Sequence, residues 1–202
     1  AVQAPVEALS KLLEKISLTT EQLGIWYASI SHYAFWALRF QHDHDPSRIV
    51  GQDNLFQYRS YHGICLRIQP NDKPLDILRV CAAALSCQTP IQISWTKNQT
   101  PITITDNWKH LMPLFRIVEE SEPHFIERVR NGSFKRIRLL TSPSSALQQA
   151  AAESACHLDQ APVLTNGRFE LLHYLREVAI SSDYHRYGNL GVREGEVRKP
   201  IL

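Results

Sequence analysis

The sequence predicts an α/β chain: a Rossmann-like, mostly parallel sheet flanked by helices, with an α-helical N-terminal extension and an extended C-terminal tail. Three observations predict it. Strand-like, helix-like and strand-like stretches follow one another between residues 63 and 95, the order of a βαβ unit. The alternation recurs, less cleanly, from residue 122 to residue 181. Ahead of both, apolar residues repeat only at helical spacing.

The elements follow in order. Leu9, Leu12, Leu13 and Ile16 mark a first helical segment. Thr19 and Gln22 form a capping box that opens a second helix. Leu23, Trp26, Ile30, Tyr33, Ala34, Ala37 and Leu38 lie on one broad face of it, and Asp45-Pro46 is expected to stop it. Residues 54–60 alternate as a strand does, and residues 63–68 form a second strand candidate. Pro70 to Pro74 is a turn, Leu75 to Cys87 an alanine-rich amphipathic helix, and Pro90 to Trp95 a strand. The stretch 98–113 reads as a loop or an extra hairpin. Then come a helix at 122–130, a strand at 135–140, a helix at 144–156 with Ser144 as N-cap, a short strand at 161–164, a helix at 168–177 and a strand at 178–181. In that last helix Phe169, Leu172 and Leu175 are expected to point inward, with Leu171 beside them. The expected organisation is a helical linker over 1–50, a Rossmann-like domain over 51–181 and a terminal strand and tail over 182–202.

The chain has 202 residues, 44% of them hydrophobic and 21% charged, enough for a real core. A net charge of +2 is too small for a dedicated nucleic-acid binder. The nearest approach to a basic cluster is Arg128, Arg130, Lys135, Arg136 and Arg138, and a solvated helix end and strand edge explains it more simply. Four cysteines without a C-x-x-C pair argue against a disulfide framework and fit a reducing cytosol. No apolar run reaches membrane-span length and no signal peptide is visible, so a cytoplasmic location is expected. A first residue of Ala1 rather than Met suggests a piece cut from something longer.

Searches for chemistry return little. A dinucleotide site needs glycines in the turn after the first sheet strand, where backbone approaches pyrophosphate. That turn reads Gln69-Pro70-Asn71-Asp72-Lys73-Pro74: no glycine, two prolines without N–H groups, and a carboxylate where phosphate would sit. His42-Asp43-His44-Asp45 is the only metal-like run, but at a helix end residues two apart face different ways. Cys65, Cys81 and Cys87 read as buried structural thiols, and Cys156-His157 is adjacency without catalytic geometry. No G-x-S-x-G elbow occurs. No catalytic, cofactor-binding or metal-binding residue is therefore assigned within the chain.

Two blocks carry a family resemblance. One runs from His44 to Arg59 (HDPSRIVGQDNLFQYR). The other runs from Gly167 to Glu177 (GRFELLHYLRE) and on through Ile180-Ser181 to Gly191. Together they resemble the C-terminal region of proline utilization A, a bifunctional proline-catabolic enzyme family. The resemblance covers most of the chain in outline and is specific only in these blocks. It implies a parent that oxidises proline on FAD and then oxidises glutamate semialdehyde with NAD in an aldehyde dehydrogenase domain. It implies that this region is an inactive relative of that dehydrogenase, packed on the catalytic domain of its own or a neighbouring chain, with its tail helping to cover the passage for the intermediate. FAD and NAD then belong to the parent and neither to this segment. A homo-oligomeric parent, peripheral membrane association of that parent and the absence of a nucleic-acid partner follow as expectations of the same kind.

The candidate site is the run Tyr184, His185, Arg186, Tyr187, Gly188, Asn189, Leu190 and Gly191. Tyrosine and arginine are enriched at interface hot spots, and the glycines permit unusual backbone angles. It is either a docking surface or the last strand and turn of the sheet. A self-standing Rossmann-like oxidoreductase with an atypical cofactor turn is the alternative function.

Overall fold

The computed structural model describes residues 9, 10, 13, 16, 18–96, 115–185, 190–193 and 195. Residues 9, 10 and 13 are helical, and Leu9 and Leu13 are buried in the core. Helix α1 spans Thr20–Phe40 and opens on the expected reciprocal cap. Gln22 N–H donates to Thr19 Oγ1 (3.2 Å) and Thr19 N–H donates to Gln22 Oε1 (2.9 Å). The helix buries Trp26, Ser29, Tyr33, Ala37 and Phe40. Ala34 and Leu38, expected on that face, are exposed. Each lies one residue, about 100°, past a buried position. The helix ends at Phe40, short of Asp45-Pro46. The Asp45 carboxylate instead accepts from Ser47 N–H (3.1 Å) and Arg48 N–H (2.9 Å), and these bonds hold its pKa low.

The sheet has five parallel strands: β2 (Ile64–Arg67), β3 (Ile91–Trp95), β4 (Arg116–Glu119), β5 (Arg136–Arg138) and β6 (His157–Asp159). Strand β1 (Gln52–Ser60) lies outside it. The spatial order is β4-β3-β2-β5-β6. The chain therefore winds outward from β2 to β4, returns to the centre at β5 and winds the other way. This is the doubly wound, Rossmann-like arrangement expected. Helix α2 (Pro74–Ser86) connects β2 to β3. Helices α3 (Glu122–Arg130) and α4 (Ser145–Glu153) flank β5, each opened by a serine N-cap, Ser121 and Ser144. One core, beneath α1 and α2, holds Trp26, Tyr33, Leu66, Ile77, Leu78 and Ile93. A smaller one, between α3, α4 and the sheet, holds Phe125, Val129, Phe134, Ile137 and Leu147.

Three expectations are corrected. Strand β4 was not anticipated; it is a four-residue edge strand without clear alternation, beside the 98–113 stretch, which lies outside the described residues. The sixth strand is His157–Asp159 rather than 161–164. Pro162 offers no N–H, the Ala161 carbonyl accepts from Arg138 (2.6 Å), and Leu164 uses its N–H on Glu170 and its carbonyl on Tyr33. The helix expected over 168–177 stops early, as α5 (Gly167–Glu170) followed by a 3₁₀ turn, Leu171–His173. The Tyr174 carbonyl accepts from Tyr61 N–H (3.2 Å) and the Thr89 hydroxyl (2.8 Å), which diverts the chain into β7 (Leu175–Asp183). Leu171 and Leu175 are buried as expected, but Phe169 and Leu172 are exposed.

Strand β7 does not join the sheet. It pairs antiparallel with β1 along nine residues, from Gln52↔Asp183 to Ser60↔Leu175. The result is a separate two-stranded ribbon roughly 30 Å long. No helix among the described residues is long and apolar enough to cross a membrane.

Candidate functional site

In a sheet wound this way, ligands bind at the C-terminal edge where the winding reverses, between β2 and β5. Both strands end in a buried arginine, Arg67 and Arg138. Arg67 donates to Ser94 Oγ (2.7 Å), Thr96 Oγ1 (2.7 Å) and Glu122 Oε2 (3.0 Å), and its guanidinium lies 4.5 Å from the Phe125 ring centroid. Glu120, also buried, accepts from Ser94 (2.8 Å) and Arg128 (2.6 Å), and His124 Nδ1 lies 3.1 Å from its other oxygen. Arg138 donates to Asp159 Oδ1 (3.1 Å) and to the Ala161 carbonyl, with Glu170 3.7 Å away. His173 Nδ1 sits 2.7 Å from the second oxygen of Asp159. Burial pushes Asp159 up, but the hydrogen bond from His173 and the charges of Arg138 and His173 outweigh it and hold the carboxyl at about 2. The cations at this edge are thus matched by the chain's own carboxylates.

The turn after β2 closes the same crevice. Asp72 is buried and accepts from Gln69 N–H (2.8 Å) within the turn. Its other oxygen accepts from the Thr141 hydroxyl (3.0 Å), in the loop after β5. Burial raises the Asp72 pKa against these bonds. The carboxylate therefore ties the two loops between which a pyrophosphate would lie. With Pro74 opening α2 and no glycine in the turn, the residues present do not fit a dinucleotide phosphate.

The ribbon is built differently. Most of β7 is exposed, and at its base the Ser60 hydroxyl donates to the Cys87 carbonyl (2.5 Å) beside buried Leu175. Between base and tip the strands share Tyr58–Glu177 (2.9 Å) and Ser181–Asn54 side-chain bonds. Arg59 lies directly opposite Arg176, a like-charge pair that disfavours the isolated ribbon. On the outer edge of β1, His44 bridges Phe56 with two backbone bonds (3.0 and 2.7 Å).

At the tip, Tyr184 N–H donates to the Gly51 carbonyl (2.9 Å), Gly51 N–H donates to the Tyr184 hydroxyl (3.1 Å), and His185 Nδ1 lies 3.1 Å from the Gly51 carbonyl. Gly51 has φ +90°, and a Cβ there would stand 2.6 Å from His185 Nδ1, so this turn requires glycine. Leu190 and Gly191 lead into a 3₁₀ turn, Gly191–Arg193. Arg193 clamps Asp53 bidentately (2.7 and 3.2 Å) and stacks 3.9 Å from the Tyr184 ring centroid. Of the eight candidate residues, Tyr184, His185, Leu190 and Gly191 gather at this tip or on the turn that returns to it. Arg186, Tyr187, Gly188 and Asn189 lie outside the described residues. Sequence reasoning missed Gly51, Asp53 and Arg193. Nothing local marks the Asp53–Arg193 pair, whose members are 140 residues apart.

The remaining candidates have structural roles. His44 and Asp45 serve the ribbon bridge and the loop turn, and no group of three or more metal-binding side chains occurs among the described residues. All four cysteines are buried free thiols with raised pKa values; burial holds even Cys156 at about 11. The basic cluster is a solvated edge only in part: Arg130 and Lys135 are exposed. Arg128, Arg130, Arg136 and Arg138 pair with Glu120, Glu153 and Asp159, and Arg138 is fully buried.

No protein-family model matches the sequence, and a search of curated proteins finds no match. Solved structures do resemble the fold. Proline Utilization A from Corynebacterium freiburgense aligns over 86% of this chain and 15% of its own, at 23% identity and a TM-score of 0.52. An NAD+ complex of an aldehyde dehydrogenase from Bacillus cereus aligns over 78% of this chain and 38% of its own (14% identity, TM-score 0.54). Succinic semialdehyde dehydrogenase from Streptococcus pyogenes, with NADP+, aligns over 78% and 39% (12% identity, TM-score 0.56). The chain thus has an aldehyde-dehydrogenase-like, Rossmann-like fold and spans well under half the length of each of these proteins.

Proposed function

We propose that this chain is a non-catalytic docking domain of a bifunctional proline-catabolic enzyme. It packs on the catalytic aldehyde dehydrogenase domain, of its own or a neighbouring chain, and its ribbon and tail help seal the passage between the two active sites. Residues 1–50 then lead in as linker, with helix α1 packed on the core, 51–181 hold the dehydrogenase-like body and most of the ribbon, and 182–202 act as the sealing tail. FAD and NAD serve the parent's catalytic domains. One contrast carries this reading: the crevice that would bind a cofactor is tied across by Asp72 and Thr141 and lined by Arg67, whose charge Glu122 meets, while β7 leaves most of its length exposed. A strand edge of β7 with no partner among the described residues, and with tyrosine, histidine and arginine at its tip, is suited to adding onto another domain. The likeness to Proline Utilization A supports the assignment of the parent.

The test is truncation before Tyr184 in the full-length parent. The expected result is a longer lag in coupled proline-to-glutamate flux, with each separate half-reaction retained. An unchanged lag removes the sealing role. Saturable NAD binding by the 202-residue chain would instead favour a self-standing oxidoreductase with an atypical cofactor turn.

A further inference from the structure

Helix α1 has two apolar faces, and only one is used by the core. Opposite Trp26, Tyr33 and Ala37, a continuous stripe of Gly24, Tyr27, Ala28, Ser31, Ala34, Phe35 and Leu38 is exposed along the helix. Its large members are well open to solvent: Tyr27 59%, Phe35 56% and Leu38 63%. Residues at these spacings share one side of a helix turning 100° per residue.

We infer that this face pairs with the same face of a second copy, antiparallel, about a two-fold axis at Ser31. The argument is a palindrome of size and charge. An antiparallel pair centred on residue 31 brings together positions equally far before and after it. Tyr27 then meets Phe35 of the partner copy, an aromatic pair. Ser31 meets itself, flanked on either side by Ala28 and Ala34, so the centre of the contact is small enough for close approach. Leu38 meets Gly24. At the rim Glu21 and Arg39 are centred one residue away, on residue 30, and both lie about 80° to the same side of the stripe. A two-fold axis perpendicular to the helix pair keeps that side, so each Glu21 faces the other copy's Arg39, giving two complementary ion pairs. A parallel pairing would set Glu21 against Glu21 and Arg39 against Arg39.

Gly24 supplies an independent observation. Glycine is the least favourable helix-interior residue after proline. Here it has no left-handed backbone angle, and a Cβ at this position would meet nothing within 4 Å among the described residues. The described residues of one copy give no reason for it. A partner's Leu38 seated over it does. The 21-residue helix is about 30 Å long. A specific interface needs about 1,000 Å² in total. Association through a single helix face is expected to be weak, in the micromolar range. The pairing is independent of the docking role proposed above, which uses the ribbon.

Sedimentation equilibrium of the 202-residue chain from about 1 to 200 μM tests it. The expected result is a monomer–dimer equilibrium. Gly24→Leu should weaken it at least tenfold while leaving the urea midpoint unchanged or higher, because the added side chain has free space within its own copy. Glu21→Arg and Arg39→Glu should each weaken self-association severalfold. Mixing the two variants one to one should restore it, because both ion pairs re-form only between unlike chains in the antiparallel register. A monomer throughout the range overturns the proposal, as does a Gly24→Leu variant that dimerises like the wild type. A mixture no tighter than its parts overturns the register. A face protected from hydrogen exchange only by an added aldehyde dehydrogenase domain assigns it to that partner and overturns self-pairing.

Discussion

The C-terminal edge of the parallel sheet and the tip of the ribbon both join segments far apart in sequence, yet they are held by opposite means. At the sheet edge, Arg67, Arg138, Glu120, Asp159 and Glu170 are buried, and each charge has its counter-charge within hydrogen-bond or ion-pair reach. At the tip, a bidentate pair, a stacked ring and contacts around Gly51 join the returning chain to β1, and the paired side chains are partly exposed. A buried ionic network is costly to break in any one place. A surface cluster opens locally and at little cost. A surface meant to meet another domain is drawn from the second kind, and a filled crevice is the first.

The largest effect expected from this contrast is at Arg138. Replacing it with methionine keeps the apolar stem but leaves Glu170 buried without its cation and Asp159 with only Arg136 and His173. A loss of about 3–5 kcal/mol is expected, seen as a large fall in the urea midpoint. A change below about 1 kcal/mol would mean that water reaches this edge, and the contrast with the tip would fail.

Acid should act on the same region. The folded pKa of Asp159, about 2, lies below its ordinary 3.8. A depressed carboxyl stabilises the fold fully above its unfolded pKa and loses that contribution as pH falls through the folded one. About 2 kcal/mol should disappear between roughly pH 4 and pH 2. Urea titrations across that range should show it, and Asp159→Asn should flatten the Asp159 share of the slope.

These two regions also differ in how far the sequence exposed them. The sheet was legible because β2, α2 and β3 follow one another with their own periods. The ribbon was not, because its partners Gln52–Ser60 and Leu175–Asp183 bracket the whole sheet, and pairing across such a distance leaves no local mark. The same cause hid the length of α5. Phe169, Leu172 and Leu175 repeat as a helix would, but Tyr174 is held by Tyr61 and Thr89, so tertiary bonding overrides the local period. Tyr184 and His185 were found by their residue types, whereas Asp53 and Arg193 needed the fold.

At the tip itself, Gly51→Ala should cost roughly 1–2 kcal/mol, since it opposes a φ of +90° and drives a methyl into His185. The loss should remain local. Hydrogen exchange should speed up at the Tyr184 amide while the global urea midpoint stays in place. If the midpoint falls in step, ribbon and body unfold together, and the ribbon is not a separately yielding element.

The smallest and most discriminating change is Arg193→Lys. It keeps the positive charge near Asp53 but removes the planar fork that reaches both carboxylate oxygens and stacks on Tyr184. Both partners are partly exposed, so the charge contribution alone is small. If geometry holds the tail, the substitution should cost about 0.5–1 kcal/mol, read as an approximately two- to fivefold faster exchange of the Tyr184 amide. Asp53→Asn should match it, and the double variant should add little to either single one, because both remove the same clamp. If Arg193→Lys is silent while Asp53→Asn is not, charge rather than the fork holds the tail. The tip would then be a screened, salt-sensitive contact rather than a shaped surface, and raising the ionic strength should loosen the wild type to the same degree.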